Sequence, residues 1–191
     1  MIARGNFGWS VNASMRTLPD YLADGLDIIF VGLNPGLYSV EVGHYFATPR
    51  NRFWTAINLS GLLAEPACAE QDHRLLLHGI GLTDVVKRPT SGASELRAAD
   101  FRRWAPVLKE KLERHRPRIV CFHGTTAYRG YMKYVGDRVD QPGLGVQPVA
   151  IGSSLVFVTP NPSPANAAWS LADLVEWYRR LADLRDGMTG P

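Results

Sequence analysis

Three short apolar runs, rich in β-branched residues, punctuate the chain: Asp27 to Leu33 (DIIFVGL), Arg118 to Phe122 (RIVCF) and Leu155 to Thr159 (LVFVT). None alternates with polar positions, the pattern expected of strands covered on both faces. Around them, apolar residues recur at helical spacing over Asn51 to Leu63, Asp100 to His115, Thr125 to Val135 and Trp169 to Leu184. Strand and helix therefore alternate, which predicts an α/β fold: a single three-layer α/β/α domain with a mostly parallel central sheet. Asp100 is placed to cap its helix and Pro117 to stop it before the next strand, while Pro106 leaves the start of that helix open. The domain is expected to span residues 1–191, with about 1–20 and 186–191 as loosely held tails and no internal repeat.

Composition narrows the class. With 191 residues, 46% of them apolar and 20% charged, the chain can build one full core and is short for two. Cys68 and Cys121 form no CxxC pair, and the five histidines show no HExxH spacing, so neither metal nor other cofactor is expected, and a reducing compartment is. The first residues hold no continuous apolar stretch of signal-peptide type, and no run is long enough to span a bilayer. The expectation is a soluble, cytoplasmic monomer, nucleoid-associated in a bacterium, with no membrane partner. A net charge of +3 permits nucleic acid as a partner without arguing for it.

In open α/β sheets ligands bind beyond the carboxyl ends of the strands, and here those loops are unusual. After DIIFVGL come Asn34-Pro35-Gly36-Leu37, then Gly43-His44-Tyr45-Phe46 and Asn51-Arg52-Phe53-Trp54; after LVFVT comes Pro160-Asn161-Pro162-Ser163-Pro164. The stretch GLNPGLYSVEVGHYFATPRNRFW closely resembles the first active-site motif of the mismatch-specific uracil and thymine DNA glycosylases, within the uracil-DNA glycosylase superfamily. HGIGLTDVVKRPTSGASEL, the RPRIVCFHG strand, the GLGVQP turn, the NPS loop and the final EWYRRLADLRD helix resemble further family segments in the same order. The likeness runs over nearly the whole chain from about Asp27.

That resemblance implies a uracil-DNA glycosylase-like domain acting in base excision repair without a cofactor. Its partner would be double-stranded DNA carrying uracil or a mismatched pyrimidine, with single-stranded DNA as a further substrate. The base is flipped out and its N-glycosidic bond hydrolysed. Such chemistry builds positive charge on the sugar and negative charge on the departing base, so it needs a positioned water, an anionic group near the sugar and donors at the base.

By resemblance, Asn34 holds the attacking water, although an ordinary Asn-Pro-Gly turn explains it on composition alone. Asp84 stands where better-known relatives carry lysine or asparagine, and a carboxylate there is expected to share catalysis with Asn34 as general base or as an anion facing the sugar. The alternative is a turn aspartate paired with Lys87 or Arg88. Phe46 matches the aromatic residue that stacks on the base, against the alternative of plain core packing. Leu33, Gly36 and Tyr45 belong to the segments that would surround the base and offer backbone groups to it. Ser39 would narrow the space at pyrimidine C5 and favour uracil over thymine, unless it is simply a loop serine. Asn161 would line the mouth of the pocket. His44 and Asn51 are expected to shape the loop.

Ser163, Pro164, Ala165 and Asn166 are expected to touch DNA. The relatives place a bulky or basic wedge here, and Pro164-Ala165-Asn166-Ala167 offers only a small plug. Weak discrimination of the opposite base follows, with good activity on mispaired or single-stranded uracil. Thr125 replaces a lysine, leaving Arg50, Arg52, Lys87 and Arg88 as candidate phosphate binders. A module that binds lesions without cutting them stays open as an alternative. A nucleotide-binding Rossmann enzyme is disfavoured because no glycine-rich phosphate motif follows a strand.

Overall fold

The computed structural model describes residues 15–136 and 142–188. Its sheet contains β1 (Ile28–Gly32), β2 (Ile80–Asp84), β3 (Ile119–His123), β4 (Gly145–Val146) and β5 (Leu155–Thr159), in the order β2-β1-β3-β5-β4. All neighbours run parallel except β4, which pairs antiparallel with β5. Every residue of β1, β2 and β3 is buried, as their unalternating sequences require.

Successive side chains point to opposite faces, which builds two cores. Ile28, Phe30, Ile80, Leu82, Ile119, Cys121 and Phe157 pack beneath α2 (Phe53–Leu59) and α5 (Leu171–Gly187). Ile29, Val31, Val120, Phe122, Val156 and Val158 pack beneath α3 (Ala98–His115) and α4 (Thr125–Val135). The three layers are therefore helix pair, sheet and helix pair, as the alternating pattern predicts.

The expected strands and helices are present, and α4 falls on its expected residues. Strand β2, the short helix α1 (Leu37–Val42) and a 3-10 segment over Ala69–His78 carried no pattern of their own. In β2, IGLTD, Gly81 interrupts the apolar run, yet a side chain there would collide with the Tyr21 carbonyl. Tyr21 pairs with Leu82 through two backbone hydrogen bonds of 2.9 Å and covers the edge of the sheet.

Residues near Leu18, expected in a loose tail, are thus part of the fold. Leu18 is buried, Thr17 Oγ1 donates to the Lys87 carbonyl at 2.6 Å, and Asp20 forms ion pairs with Lys87 and Lys111. At the other end α5 continues to Gly187, past the expected boundary at Arg185. Residues 1–14 and 189–191 lie outside the described residues.

Asp100 is not the cap of α3 but lies in its first turn, accepting the Arg97 N–H at 2.8 Å. The helix runs unbroken through Pro106, which sits on its exposed face, where solvent can satisfy the Arg102 carbonyl that loses its usual donor.

Candidate active site

The chain leaves β1 and moves outward to β2, then crosses back over β1 to β3, so the loops after β1 and β3 diverge and open a crevice at the carboxyl end of the sheet. A cavity of about 330 Å³ occupies it, at the lower end of the roughly 300–1,000 Å³ common for small-ligand sites. Its walls come from the ends of four adjacent strands: Leu33 and Asn34 after β1, Asp84 closing β2, His123 closing β3 and Asn161 after β5.

Asn34 is oriented by its surroundings. Its Nδ2 donates to Thr90 Oγ1 at 2.8 Å, to the Arg88 carbonyl at 3.1 Å and to the Pro35 carbonyl at 3.2 Å. Thr90 gives its own hydroxyl proton to the Gly92 carbonyl at 2.9 Å, so its lone pairs are what Asn34 meets. The amide nitrogen is committed and Oδ1 is left as the acceptor, the end an amide uses to hold water.

Asp84 is buried, 4% exposed, and so is not a solvated residue, although it does pair with Lys87 as the alternative reading expects. The register pairs it with Gly32, and a side chain at Gly32 would overlap Asp84 Oδ1, so this glycine makes room for the carboxylate across the end of β1. Oδ2 is buried without a hydrogen bond, 3.7 Å from Lys87 Nζ. Burial raises the carboxyl to about 6; Lys87 opposes the rise and Asp20 adds to it. Lys87 is itself buried, held by Asp20 at 2.8 Å and by the Tyr45 hydroxyl at 3.1 Å.

Phe46 has a left-handed backbone, φ 54°, rare for an aromatic residue and sustained by its packing. Its ring stacks on Phe53 at 4.1 Å and meets His123 edge-on at 5.3 Å while bordering the cavity. The preceding loop is pinned by buried Asp72, which accepts the Tyr45 N–H at 2.8 Å and lies 3.4 Å from His44 Nδ1. Asn51 accepts the Phe53 N–H at 3.0 Å and starts α2. Of the two expected loop-shaping residues, Asn51 does local work of that kind, whereas His44 Nδ1 is buried beside Asp72 without a hydrogen bond among the described residues.

The strand-end residues meet one cavity together with Gly36, Ser39, Tyr45, Phe46, Ser163, Pro164 and Ala165; Asn166 lies outside its lining. Two expectations need amendment. Tyr45 borders the cavity, but its N–H goes to Asp72, its carbonyl to Trp54 and its hydroxyl to the Pro19 carbonyl and Lys87, which leaves a substrate only the ring. The carbonyls of Leu33, Pro35 and Gly36, expected as acceptors for a base, already accept from Val86, Thr90 and Val40.

Three of the four candidate phosphate binders are used internally. Arg52 donates to the carbonyls of Pro162, Ser163, Asn166 and Trp169, Arg88 pairs with Asp100 at 2.7 Å, and Lys87 belongs to the buried network. Arg50 stays exposed. Arg52 instead fixes the loop carrying Asn161 and Ser163, and an internal turn from Ser163 N–H to Asn161 Oδ1 at 2.9 Å tightens it.

Sequence reasoning missed Thr90 and His123. Nothing in the polar stretch PTSG distinguishes Thr90, whereas His123 did have a signal: a polar residue closing a fully buried strand.

The family model for the uracil DNA glycosylase superfamily matches residues 19–185. The chain belongs to that superfamily. A similar fold is found in a solution NMR structure from Methanosarcina acetivorans, described as a candidate uracil DNA glycosylase, at 25% identity and a TM-score of 0.56. The match covers 88% of this chain and 98% of the other. Membership of this superfamily makes the protein a DNA glycosylase, a hydrolase of DNA repair, and its substrate DNA.

Proposed function

We propose that this superfamily member is a monofunctional, mismatch-type glycosylase that extrudes uracil from DNA and hydrolyses its N-glycosidic bond, with Asp84 and Asn34 as the catalytic pair. The observation that carries this reading is the convergence of a buried carboxylate and an acceptor-oriented amide on one base-sized cavity. Phe46 offers a flat face to the extruded pyrimidine, and Asn161, whose Oδ1 is occupied while its Nδ2 makes no hydrogen bond among the described residues, offers an N–H donor.

In the proposed reaction the C1′–N1 bond breaks with its electron pair leaving on the base. Water held by Asn34 Oδ1 attacks C1′, and its proton passes to the Asp84 carboxylate. While ionised, that carboxylate also opposes the positive charge growing on the sugar in a site with little competing solvent. Ser39, buried on the cavity wall, is the proposed element favouring uracil over thymine. The small Pro164-Ala165 plug recovers little of the lost stacking, so single-stranded uracil should be cleaved within about tenfold of a G·U duplex. We further propose that one copy of the chain works as a single domain in the cytoplasm.

The test is single-turnover base release from G·U, G·T, A·U and single-stranded uracil oligonucleotides. Asp84→Asn should slow release roughly 100-fold or more, and Asn34→Ala by a comparable factor. An unchanged rate in Asp84→Asn would return the water to Asn34 alone. Tight binding of the duplexes by wild type without release of any base would replace catalysis with lesion binding.

A further inference from the structure

His123 closes β3 at 1% exposure and borders the cavity, yet it has no part in the reaction above. Its ring stacks on Phe30 at 4.9 Å and meets the rings of Phe46 and Phe53 edge-on at 5.3 and 5.5 Å. An apolar side chain would fill such a place with no polar atoms to satisfy. Nε2 lies 2.9 Å from the hydroxyl of Tyr178 in α5, but Nδ1 is buried without a partner among the described residues. An unsatisfied buried nitrogen costs stability, and because its ring borders the binding cavity, a ligand that fills the cavity is the expected partner.

The Tyr178 hydroxyl settles which nitrogen carries the proton. It is fully buried, and among the described residues it hydrogen-bonds only to His123. A phenol is the stronger donor and an imidazole nitrogen the stronger acceptor, so the O–H donates to Nε2 and the ring proton resides on Nδ1. Burial holds the imidazole neutral, far below its usual basicity and at about 3, so it has one N–H to give and no charge.

We infer that the Nδ1–H of His123 donates a hydrogen bond to a carbonyl oxygen of the extruded pyrimidine, making His123 a base-recognition residue whose tautomer is set by Tyr178. The inference rests on the base-excision reading. A neutral donor at that carbonyl accepts the base in its ground state and strengthens its hold as the departing ring takes up negative charge.

The experiment uses the full chain labelled with 15N-histidine, titrated with a G·U duplex in which 2′-fluoro-2′-deoxyuridine replaces the cleavable nucleotide. The free protein should show His123 protonated at Nδ1, and the duplex should move that proton resonance downfield. In single-turnover excision His123→Leu should lose roughly 10- to 100-fold, with His123→Asn, whose amide reaches the Nδ1 position, recovering to within about fivefold of wild type. Tyr178→Phe, which frees the tautomer while leaving the ring in place, should cost about three- to tenfold.

A proton found on Nε2, an Nδ1–H resonance unmoved in the bound complex, or a folded His123→Leu variant at the wild-type rate would each overturn the inference. If wild type releases no uracil, the base-excision reading fails, and the resonance shift alone decides whether His123 meets the base.

Discussion

At Asp84 one cause has two effects: the burial that raises the carboxyl to about 6 also strips away the water that would weaken its action on a sugar cation. A base must be ionised to act, so excision should rise with pH through about 6 and level off above it. The same profile should be flat in Asp84→Asn, whose remaining activity carries no ionisation in that range. Asn34 depends on Thr90 for its orientation. Thr90→Val keeps the shape but removes the acceptor that holds Nδ2, so the amide can turn its wrong end to the water. Release should slow by about tenfold with the melting temperature little changed. Asn34 and Phe46 were legible through the resemblance of their segment to a family motif, and Asp84 as a departure from one. Thr90 was not, since its role comes from a hydrogen bond to a residue 56 positions away.

Among the elements, the loop after β5 is held from outside itself. Arg52, at the start of α2, binds four of that loop's carbonyls, and its geometry was invisible in the pattern that placed it among phosphate binders. Arg52→Met should leave those carbonyls without donors, lower stability in urea by about 1–3 kcal/mol and weaken duplex binding through a loosened Asn161 and Ser163. Strands β1, β3 and β5 were readable from continuous apolar runs, and α4 from its spacing. Strand β2 was not, because IGLTD is short, broken by Gly81 and ended by an acid, and it becomes a strand only by pairing with β1 and with the segment at Tyr21. The helix through Pro106 escaped local rules for a related reason: its buried face, with Ala105, Leu108 and Leu112, offsets the lost hydrogen bond.

For the whole molecule, the two fully buried site groups pull stability in opposite directions as pH changes. His123 is neutral in the fold down to about 3, while the unfolded chain takes up its proton below about 6.5, so this group makes folding less favourable as pH falls across that window. Asp84 behaves inversely: its raised value favours the fold below about 4, and that advantage is lost as pH rises through about 6. The wild-type stability curve should therefore be nearly level between pH 4 and 6. Denaturation of Asp84→Asn should reveal stability rising with pH over that range, and of His123→Asn stability falling, with parallel curves in both variants as the contrary result. The sequence by itself determined the layered α/β class, because unalternating apolar strands must be covered on both faces, and its resemblance to a family marked the candidate site residues. The tertiary structure alone decided which polar groups are buried, which basic residues are consumed in holding loops, and that His123 borders the cavity while one of its ring nitrogens has no partner among the described residues. Burial and partnership depend on residues far apart in the chain, and no local pattern records them.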